Sequence, residues 1–303
     1  MIARGKAERM NRDVVAFFER HLCDRPIYRR YLLDIWQNYL ELNLPSDHFV
    51  KELTSGNRAR LFQGAWEMML ARHLAALGYR LTSPARGPDF EFDCDGRTVW
   101  VEAVSPEPKG LPESWLQGTE NVISFPHNEI LLRWTAAIKE KWCKLKKYQK
   151  AGIVRDADAY VIAVNGCQLG PQNLNHGISR LPFAVEAVYC AGPLAIQIDP
   201  QTGRLGETFV TLRKNIETAN SSLVPTSIFL DQDYRGISTV IACSMDRSET
   251  AVLPFDVIHN YFATVRVPER ILGSAGEEWV AELIGGAGEE ISLRRLDRFG
   301  VKK

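Results

Sequence analysis

Apolar residues recur every three or four positions through residues 7–42, at Val14, Phe17, Phe18 and Leu22, then at Tyr31, Leu32, Ile35, Trp36 and Tyr39. That spacing gives one apolar face to each of two successive helices. Pro26 suits the first turn of the second helix, and Pro45-Ser46-Asp47 closes the arm. A longer helix is expected over 59–77, with Phe62, Trp66, Met69, Leu70, His73, Leu74 and Leu77 as its stripe. His73 on that stripe reads as a satisfied core residue, and Gly78 stops the helix. Three short extended stretches follow at 79–82, 89–93 and 98–104. Asp95-Gly96 between the last two is a tight-hairpin signal. The proline-rich segment 106–126 reads as a loop. A second long helix is expected over 128–150, ended by Gly152, and an almost unbroken apolar strand over 160–164. Further strands are expected at 187–189, 194–198, 208–212, 239–243 and 264–267, with a turn at Asp199-Pro200-Gln201-Thr202-Gly203. After 269 there is one amphipathic patch, 279–284, and then a polar end. The pattern therefore divides into a helical arm (1–56), an α/β domain (57–268) with a strand-rich C-terminal part, and a tail (269–303).

Composition narrows the class. Among 303 residues, 45% are apolar and 24% charged, enough for a packed core and too apolar for global disorder. Lysine plus arginine, 37, equals aspartate plus glutamate, 37, so no global field attracts nucleic acid. Any such contact must come from a local basic surface. The six lysines between 139 and 150 are one candidate and are equally a solvated helix face. No apolar run approaches the ~20 residues of a membrane span, and residues 1–11 are too polar for a secretion signal. The six cysteines lie far apart without a CxxC, which argues against structural zinc and against a disulfide framework. A cytoplasmic protein with reduced thiols is expected.

The candidate chemistry lies in Gly87-Pro88-Asp89-Phe90 and Val99-Trp100-Val101-Glu102-Ala103-Val104. Asp89 heads one strand of the expected hairpin; Glu102 lies near the end of the other. With a side-chain period of two, Trp100, Glu102 and Val104 share one face. Glu102 is then a desolvated carboxylate that needs a metal, a cation or a proton beside it. Two converging carboxylates can hold Mg²⁺ or Mn²⁺, which can polarise a phosphoryl oxygen and lower the pKa of a bound water. Asp89 taken alone is equally a turn residue after Pro88.

Helix, strand, Pro-Asp at the head of a second strand, Glu near the end of a third, then helix and strand: this order resembles the PD-(D/E)XK nuclease superfamily over residues 58–165. Residues 99–170 also resemble an uncharacterised bacterial branch with a similar core. The resemblance implies a restriction-endonuclease-like mixed sheet flanked by helices and metal-dependent hydrolysis of phosphodiester bonds in DNA or RNA. It also implies Asp89 and Glu102 as catalytic metal ligands and Glu67, on the first helix, as a further catalytic acid. The superfamily has a lysine two residues after the second acid; here that position is Val104.

A helix wheel supplies a replacement. At about 100° per residue, Lys141 falls inside the apolar arc of the second long helix, between Ile130 and Trp134, while Lys139 faces out. An inward lysine needs an anion, and Glu102 or a substrate phosphate could serve; equally, the Lys141 stem could lie on the core and its amine reach water. Lys109, just beyond the third extended stretch, is a second candidate cation. Arg133 and Lys144 lie on one flank of the helix, suited to a nucleic-acid backbone. The alternative function is a catalytically inactive nuclease-fold protein acting as a nucleic-acid-binding or regulatory module, which Val104 favours. The helical arm carries no recognisable chemistry; it could form a homodimer, contact a ligand or simply cover the sheet. Asn165-Gly166-Cys167 either turns the chain or lines the cleft, and Cys167 with His176 as nucleophile and base has no further support.

Overall fold

The computed structural model describes residues 4–117, 124–171, 174–284 and 290–296. Four helices come first: α1 (Arg4–His21), α2 (Pro26–Glu41), α3 (Asp47–Leu53) and α4 (Arg58–Ala76). Strands β1 (Phe90–Cys94) and β2 (Arg97–Val104) form the expected hairpin. Its turn residues Asp95 and Gly96 both have positive φ, 53° and 77°, as a tight turn matching the strand twist requires. Helix α5 (Glu113–Gln117), the long α6 (His127–Lys150), β3 (Ala159–Asn165) and α7 (Phe183–Val188) follow. The remainder is extended: β4 (Ala191–Ile198), β5 (Leu205–Leu212), β6 (Asn215–Glu217), β7 (Leu223–Pro225), β8 (Thr239–Cys243), β9 (Asp256–His259), β10 (Glu278–Ile284) and β11 (Glu290–Arg295).

A seven-stranded mixed sheet runs β1-β2-β3-β8-β9-β10-β11. The β2, β3 and β8 strands are parallel and form its centre. Both faces are covered, so these strands are apolar at nearly every position, and alternation decides which layer each side chain meets. Val99, Val101, Ala103, Val161 and Ala163 pack with α1 to α4, around Phe18, Trp36, Trp66 and Met69. Trp100, Val104, Tyr160, Ile162 and Val164 pack with α6 and α7, around Ile130, Trp134, Ile138 and Phe183. No described helix is long and apolar enough to cross a membrane.

Several local expectations are corrected. Residues 79–82 are not a strand; only Thr82 pairs, with Glu91. Residues 187–189 belong to the end of α7 and its cap, because a short buried apolar run carries no periodicity to separate strand from helix. Residues 264–267 are irregular, although Thr264 N–H donates to the Arg235 carbonyl at 2.8 Å. Ser46, expected to close the helical arm, instead caps α3 by accepting from Phe49 N–H. The expected loop over 106–126 contains α5, and its residues 118–123 lie outside the described residues. The amphipathic patch at 279–284 lies in β10, and β11 follows it onto the sheet.

Candidate active site

The edge of the sheet explains the site. The β1–β2 ladder ends with Phe90 opposite Val101, so the next residue of each strand, Asp89 and Glu102, meets at the same level. Beyond that point β2 has no strand on its outer side, and its backbone groups need other partners. Asp89 Oδ2 accepts from Ala103 N–H at 2.7 Å. Gln63, on α4, donates to the Ala103 carbonyl at 3.2 Å and accepts from Ser105 N–H at 2.8 Å. The same Gln63 amide nitrogen donates to Glu67 Oε1 at 2.9 Å. Two side chains thus replace the missing strand, and one of them fixes Glu67 beside the edge.

Glu102 faces the other layer, as its parity requires, and is only 2% exposed. Lys141 Nζ donates to its Oε1 at 2.9 Å and Lys144 Nζ to the same oxygen at 3.0 Å. The Tyr148 hydroxyl donates to Oε2 at 3.4 Å, a long contact. Lys141, Lys144 and Tyr148 follow an i, i+3, i+7 spacing and share one face of α6. Lys141 is buried, 5% exposed, so its amine does not snorkel to water. Lys139 is exposed.

The electrostatics are those of crowded carboxyls with too little positive charge. Burial pushes the Asp89 carboxyl up to about 7, and the negative charge of Glu102 adds to this; Lys141 and Ala103 N–H pull the other way. Burial, then Asp89, holds Glu67 well above the usual carboxylate range, against the opposing effects of Gln63 and Lys141. Burial pushes the Lys141 amine down, but Glu102 and Asp89 outweigh it, so the group stays firmly protonated. Burial and the charge on Glu102 raise the Tyr148 hydroxyl, which remains a neutral donor.

The four acid and lysine candidates, Glu67, Asp89, Glu102 and Lys141, therefore meet at one edge. Lys144 joins them at Glu102 instead of standing free on the flank. Arg133 is separate: its Nε donates to the Glu107 carbonyl at 2.8 Å, on the loop after β2. Lys109 pairs with Glu107 at 3.2 Å and is 71% exposed, and it does not touch the acids. Gln63 and Tyr148 were missed in the sequence. Tyr148 had a signal, since at about 100° per residue it falls at the phase of Ile130, between Lys144 and Lys141. Gln63 had none, because its partners are backbone atoms of β2.

The donor set suits a hard divalent cation in kind. Mg²⁺ commonly uses one or two protein carboxylates and keeps several waters, and Asp89 Oδ1 has no hydrogen-bond partner among the described residues. Among those residues, no group of three or more His, Cys, Asp or Glu side chains is placed to hold a metal by itself. Elsewhere, burial pushes the Cys167 thiol up to about 12. Its side chain touches Ser105 while His176 lies by Glu277, so neither forms a nucleophile–base pair. His73 is buried and satisfied, with Nδ1 accepting from Leu253 N–H and Nε2 against the Leu272 carbonyl. No family model, curated protein or solved structure matches the chain. What fold and site define is an α/β protein with a carboxyl–lysine cluster at the open edge of a mixed sheet.

Proposed function

We propose that this chain is a metal-dependent nuclease of the PD-(D/E)XK type, hydrolysing phosphodiester bonds of DNA or RNA with Mg²⁺ or Mn²⁺. The observation that carries this reading is the buried Lys141 ammonium 2.9 Å from Glu102. It supplies, from α6, the cation that resemblance to the superfamily would place at Val104. Asp89 and Glu102 would hold the metal, with Glu67 beside them. A bound divalent ion would polarise the phosphoryl oxygen and lower the pKa of an attacking water. Glu67, whose affinity for a proton burial and then Asp89 raise above that of an ordinary carboxylate, would exchange that proton for a bound cation. Lys141 would remain charged and stand beside negative charge developing on the phosphoryl group. Arg133, at the mouth of the loop after β2, would contact the nucleic-acid backbone, and Lys144 would turn to it when released from Glu102.

The engagement of Glu102 favours a second reading. Both its oxygens are already met, by two lysines and a tyrosine. A carboxylate so neutralised has less need of a metal, as in a nuclease-fold protein that binds nucleic acid or a regulatory partner without cutting. The test is cleavage of single- and double-stranded DNA and RNA across a Mg²⁺ and Mn²⁺ titration, with wild type and Lys141→Met side by side. Metal-dependent cutting lost in the variant supports the enzyme. Binding without cutting at any metal concentration supports the alternative.

A further inference from the structure

The β4–β5 ribbon is a separate two-stranded sheet. Leu194 pairs with Val210 and Ile196 with Thr208, placing these four on one face. Ile198 and Leu212 continue the alternation on that face, and the irregularity between Ile196 and Ile198 brings Leu205, opposite Ile198, onto it. There Ile196 is 51% exposed, Ile198 59%, Leu205 70% and Leu212 78%. Lone two-stranded hairpins are marginal in water, and contiguous apolar patches of several hundred Å² mark interaction surfaces.

We propose that this aliphatic face packs on the same face of a second copy of the chain, giving a two-fold dimer. Charge selects the partner. The two strands carry one charged residue, Glu207, and no lysine or arginine, so the stripe itself offers no cation to phosphates and no charge pattern to a charged protein surface. A neutral aliphatic stripe is complementary to itself, as an isologous interface demands. The base of the ribbon is tied to the body, with Cys190 N–H donating to the carbonyl of buried Thr226 at 2.8 Å, so the stripe is presented in a set position. This dimer does not depend on what the acid cluster does.

Light scattering across a concentration series tests it. Wild type should have twice the chain mass at tens of micromolar, and Ile196→Glu/Leu212→Glu should have the chain mass, with an unchanged circular dichroism spectrum. Ile27→Glu, an equally exposed apolar position on α2, should leave the dimer intact. Wild type that stays at the chain mass to hundreds of micromolar overturns the proposal. So does a dimer of wild-type affinity in the doubly substituted ribbon.

Discussion

Lys141 Nζ lies 2.9 Å from Oε1 of Glu102, linking the middle of α6 to the end of β2 across 39 residues of chain. Both partners are buried. Lys144 shares the same oxygen from a more exposed position, with 41% of its side chain accessible. The two lysines therefore differ in solvent contact although they touch one atom.

Lys141→Met should lower metal-dependent cleavage by about 100-fold or more, the scale of losing one preorganised donor to developing charge. Because the pair is buried, stability should also fall by about 1–3 kcal/mol, less than for a fully orphaned ion since Lys144 and Tyr148 remain on Glu102. Lys139→Met and Lys109→Met, both at exposed side chains, should cut like wild type. Single-turnover cleavage together with urea unfolding separates the two effects. Equal rates in all three variants would remove Lys141 from the chemistry.

Gln63→Leu should destabilise the protein by about 1–3 kcal/mol, because it strips partners from the Ala103 carbonyl and Ser105 N–H of β2. It also removes the donor that holds Glu67. Gln63→Glu tests positioning separately: it keeps an acceptor for Ser105 N–H but sets a second carboxyl against Glu67. The expected signature is a pH–rate profile moved to higher pH for Gln63→Glu, which simple loss of stability does not produce. A profile identical to wild type would leave Gln63 purely structural.

The metal-free protein should lose stability as pH rises from about 4 to 7. An unfolded aspartate titrates near 3.9, while Asp89 in the fold titrates at about 7. Between those values the folded state binds more protons than the unfolded state, so raising the pH favours unfolding. Above about 7 the full penalty of the ionised group is present; below about 4 it is absent. Glu67, also raised, acts in the same direction. Asp89→Asn should flatten this slope and stabilise the protein at pH 8 by about 1–3 kcal/mol, partial exposure of the side chain reducing the effect. Thermal melts of both proteins from acid to mild alkali provide the comparison; an unchanged slope in the variant would refute the assignment.

Much of this cluster was legible because its residues sit on long, regular elements. The α6 helix has 24 residues, so the phase of its apolar arc is well fixed, and it placed Lys141 inward. Period-two alternation in β2 likewise put Glu102 on the α6 side. Tyr148 occupies the same arc, where an aromatic side chain reads as core. Gln63 could not be found, since its role follows from where β1 stops pairing. Short apolar stretches misled for a related reason. Residues 187–189 are apolar enough for a strand, but three residues fix no period. The β10 strand, in turn, reads from the sequence only as an amphipathic patch, because its pairings with β9 and β11 place it in the sheet, and no local pattern encodes them.

If Asp89 and Glu102 hold a divalent cation, Mg²⁺ or Mn²⁺ should raise the melting temperature of wild type and do so less as pH falls, because Asp89 must give up its proton. Asp89→Asn and Glu102→Gln should each abolish that stabilisation and the calorimetric binding signal, since each removes a charged oxygen ligand at nearly constant shape. Their effects on the metal-free fold should differ in sign. Asp89→Asn relieves like-charge repulsion and is stabilising above pH 7. Glu102→Gln takes the counter-ion from buried Lys141 and costs about 3–5 kcal/mol, the scale of breaking a buried pair from one side. Lys141→Met should strengthen metal binding, because it frees one contact on Glu102 Oε1 and removes a positive charge from the site. The same variant is expected to cut poorly. Tighter metal binding with lost cleavage would mark Lys141 as acting on the substrate, whereas metal affinity unchanged in all three variants would count against a metal site at this edge of the sheet.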